Sequence, residues 1–321
     1  MLLAHQTLFV FDSTLFTVTA GATLIGATSG ALGCFAYLRR QALVGDVISH
    51  AALLGVVGAF VLSWLVTGEG SKSLFVLVPG AIVAGTAALL LARTIGERTR
   101  IKEDASLGVM LAIFFGGGLM LLRWVQRGKP SISGRAGLDD YIFGMAAAMT
   151  RDDLTMIAAL SAASIAAMVL FWKEFQLFTF DAAFAKSLGL GARWIDTLML
   201  ALLVIGIVIG LQAVGVVLMI ALLVTPASAA RQWTSRLSRM VLLAAFFGGF
   251  SGLTGALVSA TELRVPTGPV VVLIATTIFA VSVLFAPRRG VIARSRAQGR
   301  ARAEVAAAGA PSSPQTFGGG R

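Results

Sequence analysis

The sequence is poor in charged residues, which make up 13% of its 321 residues, whereas hydrophobic residues make up 57%. A soluble domain carries about 25% charged residues. A chain with so little charge cannot cover a surface that faces water, so most of its outer surface must meet lipid. The chain has one cysteine, Cys34, which excludes an intrachain disulfide and a cysteine-based zinc cluster within one chain.

Two further features are missing. The chain has no GxxxxGK[ST] phosphate loop, so it shows no means of hydrolysing ATP by itself. Its net charge is +11, but it lacks the mixture of aromatic and basic residues that is typical of a nucleic-acid groove. Most basic residues lie in short segments between apolar runs or in the C-terminal tail, which is the pattern of membrane orientation and contact with anionic headgroups. We therefore expect membrane lipid, and no nucleic acid, among its partners.

Long apolar runs follow one another along most of the chain. A helix needs about 20 apolar residues to cross the hydrocarbon layer, where it satisfies its own backbone polar groups. Two adjoining runs touch near residue 212, and one of them could be re-entrant. The sequence therefore predicts an all-α polytopic membrane bundle with eight or nine transmembrane helices. The candidate spans are 15–38, 43–66, 74–92, 105–123, 152–172, 195–212, 213–230, 240–260 and 268–286.

The basic residues also predict the orientation of the bundle. Most of them face the cytoplasm if Arg39 and Arg40, the segments 93–102, 173–194 and 231–239, and everything after residue 287 lie on that side. This topology puts the loop 124–150 outside, although that loop and its flanks are basic. We divide the chain into an N-terminal extracytoplasmic segment (1–14), a transmembrane domain (15–290) and a disordered basic cytoplasmic tail (291–321).

Two ionisable residues interrupt the second apolar run. Asp46 and His50 are spaced i, i+4, so they share one face of a helix. An ionised side chain at this depth costs at least about 2.5 kcal/mol, and such residues usually have a partner or face a water-filled path. A carboxylate and an imidazole suit Mn²⁺, Zn²⁺ or Fe²⁺, and a second copy from a partner subunit would complete four ligands. Proton handling, or a hydrogen-bonded pair that fixes helix packing, are the alternatives.

The stretch from Asp181 to Gly191 predicts a short cytoplasmic helix between two spans. Asp181 can cap this helix, and Gly189 or Gly191 can end it. Phe184 and Leu188 give the helix an apolar face. That face fits either docking in a groove of a partner protein or the packing of a tightly folded loop.

The Asp46–His50 run, the 181–191 stretch and several other sequence blocks resemble the membrane permease subunit of ABC importers for manganese, zinc or iron. The resemblance covers about residues 15–290, and its most specific part is the Gly-Asp-x-x-Ser-His-Ala block at 45–51. The Ile-Lys-Glu-Asp and Leu-Asp-Asp-Tyr blocks look more like the manganese branch than the zinc branch. The other matching blocks keep their order along the chain: Leu38-Arg39-Arg40, Ile101-Lys102-Glu103-Asp104, Leu138-Asp139-Asp140-Tyr141-Ile142-Phe143-Gly144, 181–191, 214–231 and Pro287-Arg288-Arg289-Gly290.

The resemblance implies a multi-pass protein of the bacterial plasma (inner) membrane that is not itself an enzyme. Two permeases, identical or paralogous, would pair above two cytoplasmic ATP-binding subunits, and an extracytoplasmic binding protein would deliver the metal. Asp46 and His50 match the family's metal ligands, and the ion is a substrate rather than a permanently bound cofactor. The residues that match the ATPase-coupling helix are Asp181, Phe184, Lys186, Leu188, Gly189 and Gly191.

Three other functions deserve comparison. A cation-coupled secondary transporter could use Asp46 and His50 as a relay and would need no ATPase. The segment 249–252 has the GxSG pattern of intramembrane serine proteases, but a nucleophilic serine needs a base, and no histidine follows Ser251. A permease for chelated metal would gain little from this ligand pair, because a chelated ion keeps its own ligands.

Overall fold

The computed structural model describes residues 2–127, 132–135, 137–138, 144, 149–187, 191–261, 265–287 and 290–291. For residues 2–13, 182, 186, 192, 193, 212, 213 and 217 it describes the backbone alone. The predicted tail, apart from residue 291, and much of the loop 124–150 lie outside the described residues.

Within these residues the chain forms eleven α-helices and no β-strand, which confirms the prediction of an all-α bundle. Predicted spans and observed helices agree to within a few residues at most ends. The larger differences are at α1, which begins well before residue 15, and at α3, which continues beyond residue 92. The helices are α1 (Leu2–Leu38), α2 (Ala42–Thr67), α3 (Leu74–Arg98), α4 (Glu103–Arg127), α5 (Arg151–Leu170), α6 (Trp172–Phe180), α7 (Ala182–Ser187), α8 (Ala192–Val214), α9 (Val216–Trp233), α10 (Leu237–Thr261) and α11 (Thr267–Phe285).

Eight helices of the described chain are long and apolar enough to cross a membrane: α1 from Thr14 onward, α2, α3, α4, α5, α8, α10 and α11. The run that left the count open is α9, which forms a hairpin with α8. The turn is Gly215, whose φ of 84° and ψ of 166° favour glycine. Met219 and Leu222 are fully buried, so α9 packs inside the bundle rather than on its surface.

Close backbone contact joins α1 to α10. Gly26 and Gly248 face each other so closely that a Cβ on either residue would collide with the carbonyl oxygen of the other. Small residues allow this approach in membrane bundles, where packing rather than the hydrophobic effect drives helix association. The contact leaves no room for a side chain at either position, so α1 and α10 pack directly backbone to backbone.

The second helix packs against α3 and α4 along its length and against α9 near its start. At that start, Gly45 faces Ile220 and Leu223 of α9. One face of α2 stays partly uncovered in the single chain, because Leu43 and Leu65 on that face are 46% and 67% exposed. This uncovered face is where the predicted ligand pair lies.

We predict that Gly248→Ala destabilises the bundle, because the new methyl group meets the backbone of Gly26. The expected loss is about 1–3 kcal/mol, as for other overpacked cores. The matched control is Gly108→Ala in α4, where an added Cβ meets nothing within 4 Å. The melting temperature of the detergent-purified protein should fall for Gly248→Ala alone. Equal melting temperatures for the two variants would contradict the close packing of α1 on α10.

Candidate functional site

Asp46 and His50 lie one turn apart on α2 and contact each other. The imidazole Nδ1 of His50 is 3.2 Å from Oδ1 of Asp46 and 2.9 Å from the backbone oxygen of the same residue. The hydroxyl of Ser49 lies 3.4 Å from Nδ1 and donates to the same backbone oxygen at 2.9 Å. The structure therefore brings the two predicted ligands together.

These contacts determine which ring nitrogen is free. A backbone carbonyl can only accept a hydrogen bond, so Nδ1 of His50 must carry the proton at its 2.9 Å contact with Asp46. In the neutral ring, Nε2 then holds a lone pair. Metal-ligating histidines are commonly oriented in this way, with the second nitrogen bonded to a carbonyl or a carboxylate. Nε2 of His50 is therefore the ring nitrogen that remains available as a ligand atom.

The pair makes its polar contacts within its own helix. Among the described residues, the structure shows no hydrogen bond or ion pair from Asp46 or His50 to another helix. The ring of His50 meets the ring of Phe115 of α4 edge-on, with centroids 4.7 Å apart. The interpretation of the pair as a hydrogen-bonded tie between helices therefore lacks support.

The pair lies deep in the bundle although it is close to the start of α2. Phe115 is the central residue of α4, and Ile48 faces Gly85 near the middle of α3. The side chains of Asp46 and His50 are 30% and 15% exposed on the uncovered face of α2. An ionisable pair is thus presented at mid-depth on a surface that the chain alone does not cover.

One chain does not supply a complete metal site. No group of three or more His, Cys, Asp or Glu side chains capable of holding an ion occurs in the part of the chain that the structure describes. Two ligands are too few for the tetrahedral or octahedral sites of transition metals. An ion held by this pair would need further ligands, and the uncovered face of α2 leaves room for them to approach.

The predicted cytoplasmic helix is present as α7, and Asp181 caps it. The Oδ1 atom of Asp181 accepts from the backbone N–H of Phe184 at 2.8 Å. Phe184 itself is 51% exposed, and Phe180 just before the cap is 56% exposed. The next helix, α8, follows Gly191. Leu188, Gly189 and the side chain of Lys186 lie outside the described residues.

The GxSG segment does not form a nucleophilic site. Ser251 is fully buried in α10, and its hydroxyl donates to the backbone oxygen of Phe247 at 2.7 Å. Serine hydroxyls in membrane helices commonly donate in this way to a backbone carbonyl of the preceding turn. The hydroxyl is therefore occupied within its own helix, and neither histidine of the chain lies near it in sequence.

Sequence reasoning missed one charged cluster. Asp196, at the start of α8, pairs with Arg39 at the end of α1 and with Arg93 of α3. The residues are far apart in sequence, where Arg39 indicates orientation and belongs to a family block and Arg93 indicates orientation. The only sequence signal was an acidic residue near the start of an apolar run.

Comparisons with known proteins show the family of the chain. The family model described as the ABC 3 transport family matches residues 12–286. The chain belongs to the ABC 3 transport family. Together with the eight candidate spans, this membership makes it a multi-pass protein of the plasma membrane.

Two curated relatives and one solved structure show the range of the family. The chain is 44% identical to "Manganese transport system membrane protein MntC" of Bacillus subtilis, over 87% of this chain and 62% of that protein, so it spans less than two thirds of that relative. It is 42% identical to "Zinc transport system membrane protein TroC" of Treponema pallidum, over 88% of this chain and 92% of that protein. The solved structure "PsaBC from Streptococcus pneumoniae in complex with Fab" superposes with a TM-score of 0.75 at 30% identity, covering 86% of this chain and 93% of that chain.

Proposed function

We propose that this protein is the membrane permease subunit of an ATP-driven importer for divalent transition-metal ions. The observation that carries the proposal is the Asp46–His50 pair, held at mid-depth with the Nε2 atom of His50 free. Such a pair is costly inside a bilayer and is retained where ions pass. Its carboxylate and imidazole are the ligand types that suit these ions.

A second permease copy, identical or paralogous, would complete the ion site. The uncovered face of α2 supplies one carboxylate and one imidazole, and an equivalent face opposite it would double both. The resulting four ligands would replace part of the hydration shell of a bare ion. Exposed Leu43 and Leu65 on the same face would be covered in that pairing.

Energy and delivery come from other subunits. The chain has no nucleotide-binding loop, so ATP hydrolysis belongs to two cytoplasmic ATP-binding subunits. We assign their docking to α7, because the half-exposed Phe184 and Phe180 give this short segment an apolar surface. An extracytoplasmic binding protein would bring the ion to the outer end of the bundle.

Manganese is the ion that we favour, with zinc and iron as the other candidates. One relative is named for manganese and the other for zinc, and the same ligands accept both ions. The likeness of the Ile-Lys-Glu-Asp block at 101–104 to the manganese branch decides our preference. Ligation needs a neutral His50, so protons compete with the ion as the pH falls.

The alternative is a cation-coupled secondary transporter that uses Asp46 and His50 as a relay. Membership of an ABC family argues against it, because ABC permeases are driven by ATPase subunits. A relay also needs a next ionisable group that contacts the pair. Neither side chain has such a further ionisable partner within the described residues.

The first prediction concerns the ligands. Asp46→Ala and His50→Ala should each lower metal uptake by cells at least tenfold, because each removes half of the ligands that one chain supplies. Asp152→Ala is the matched control, since Asp152 is a carboxylate in the exposed first turn of α5. Uptake of ⁵⁴Mn²⁺ at equal membrane levels of protein is the measurement. Normal uptake by either ligand variant would remove the site assignment.

The second prediction concerns docking. Phe184→Asp should weaken binding of the ATP-binding subunits at least tenfold, because a charge replaces an exposed apolar contact. Phe285→Asp is the control, because Phe285 is also an exposed phenylalanine, at the end of α11. Co-purification of the subunits in detergent measures the effect. An intact complex with Phe184→Asp would show that the subunits dock elsewhere.

A further inference from the structure

Three charged residues join three helices at the predicted cytoplasmic end of the bundle. Nη2 of Arg39, which follows α1, lies 2.7 Å from Oδ1 of Asp196 in α8, an ion pair without the alignment of a hydrogen bond. Nη2 of Arg93 in α3 donates to Oδ2 of the same carboxylate at 2.6 Å. We call these three residues the Asp196 cluster.

The cluster is partly buried, with side-chain exposures of 16% for Arg39 and Asp196 and 31% for Arg93. Charges withdrawn from water are costly unless they are paired, and removing one partner leaves the others uncompensated. The single carboxylate holds two guanidinium groups that would otherwise repel each other. The position of Arg39 therefore depends on where Asp196 is.

Arg39 contacts the helix that precedes α7 in the sequence and the helix that follows α7. Its guanidinium carbon lies 4.9 Å from the ring centre of Phe178, in the helix that precedes α7. Its ion-pair partner, Asp196, lies in the helix that follows α7. The ring of Phe175, one turn before Phe178, also packs edge-on against Phe35 of α1 at 5.8 Å. A displacement of α7 would therefore move both contacts of Arg39.

A short hydrogen-bonded turn also joins Arg39 to the helix that carries the ligand pair. The corner after α1 is a Schellman turn, in which Gln41 N–H donates to the oxygen of Ala36 at 2.9 Å and Arg40 N–H donates to that of Tyr37 at 3.2 Å. Arg40 has a φ of 57°, which closes the turn. Helix α2 begins directly afterwards, at Ala42. Asp46 and His50 follow on its first turns.

We infer that the Arg39–Asp196 contact transmits movement of the ATPase-docking helix α7 to the metal-binding helix α2. This inference rests on the proposed function of the permease. Arg39 is a positioning residue, because it acts through α2 and does not touch the ion. Arg93 pairs with the same carboxylate but belongs to α3, away from the corner between α1 and α2. It should contribute to the cluster without carrying the movement.

The test uses the permease reconstituted in lipid vesicles with its ATP-binding subunits and binding protein. The readout is the number of Mn²⁺ ions imported per ATP hydrolysed, which a merely structural role would not change. Arg39→Gln and Asp196→Asn should each lower this ratio at least fivefold, with ATP hydrolysis within twofold of wild type. Arg93→Gln, the matched control, should keep at least half of the wild-type ratio. The double variant Arg39→Gln/Asp196→Asn should equal the single variants, because all three break the Arg39–Asp196 link and the Arg93 pair should not carry the movement.

Several outcomes would overturn the inference. An unchanged ratio in Arg39→Gln, or equal losses in Arg39→Gln and Arg93→Gln, would make the cluster a structural element only. If Arg39→Gln fails to assemble, Asp196→Asn carries the same test, because it keeps the shape of the side chain. Failure of the proposed function looks different, since the wild-type complex itself would then import no Mn²⁺. Normal wild-type import with full coupling in Arg39→Gln would contradict the transmission alone.

Discussion

The main constraint on this structure is the free energy that it costs to keep a carboxylate and an imidazole inside a lipid-spanning bundle. Asp46 and His50 meet this cost by bonding within α2, through one ring nitrogen and one backbone oxygen. That solution orients the imidazole but leaves its second nitrogen without a partner among the described residues. A pair that served packing alone would bond across to a neighbouring helix. The same interaction thus keeps the pair stable and keeps it available to an ion.

The rest of the bundle is arranged around this pair with rigid contacts on one side and an open face on the other. The Gly26–Gly248 contact fixes α1 to α10, and α3, α4 and α9 support the closed side of α2. The uncovered side carries the predicted ligand pair. Arg39 of the Asp196 cluster and Asp46 of the ligand pair lie on either side of the Schellman corner, so only a few residues of chain separate the two groups.

Much of this could be predicted from the sequence. The apolar runs predicted the long helices, and the i, i+4 spacing correctly predicted that Asp46 and His50 lie together. Both predictions depend only on local periodicity. The break between α8 and α9 was placed near residue 212 instead of Gly215, since hydrophobicity does not register a single turn residue. The depth of the pair, the contact with Phe115 and the Asp196 cluster join residues far apart in sequence. Spacing along one chain contains no information on such contacts.

The most direct measurement is pulsed electron paramagnetic resonance of Mn²⁺ bound to the purified permease with its ATP-binding subunits. The chain has two histidines, and only His50 lies in a predicted span, so coupling to imidazole nitrogen identifies its source. The account predicts nitrogen coupling from two imidazoles at each Mn²⁺, one from each permease. Tightly bound Mn²⁺ without any nitrogen coupling would contradict it.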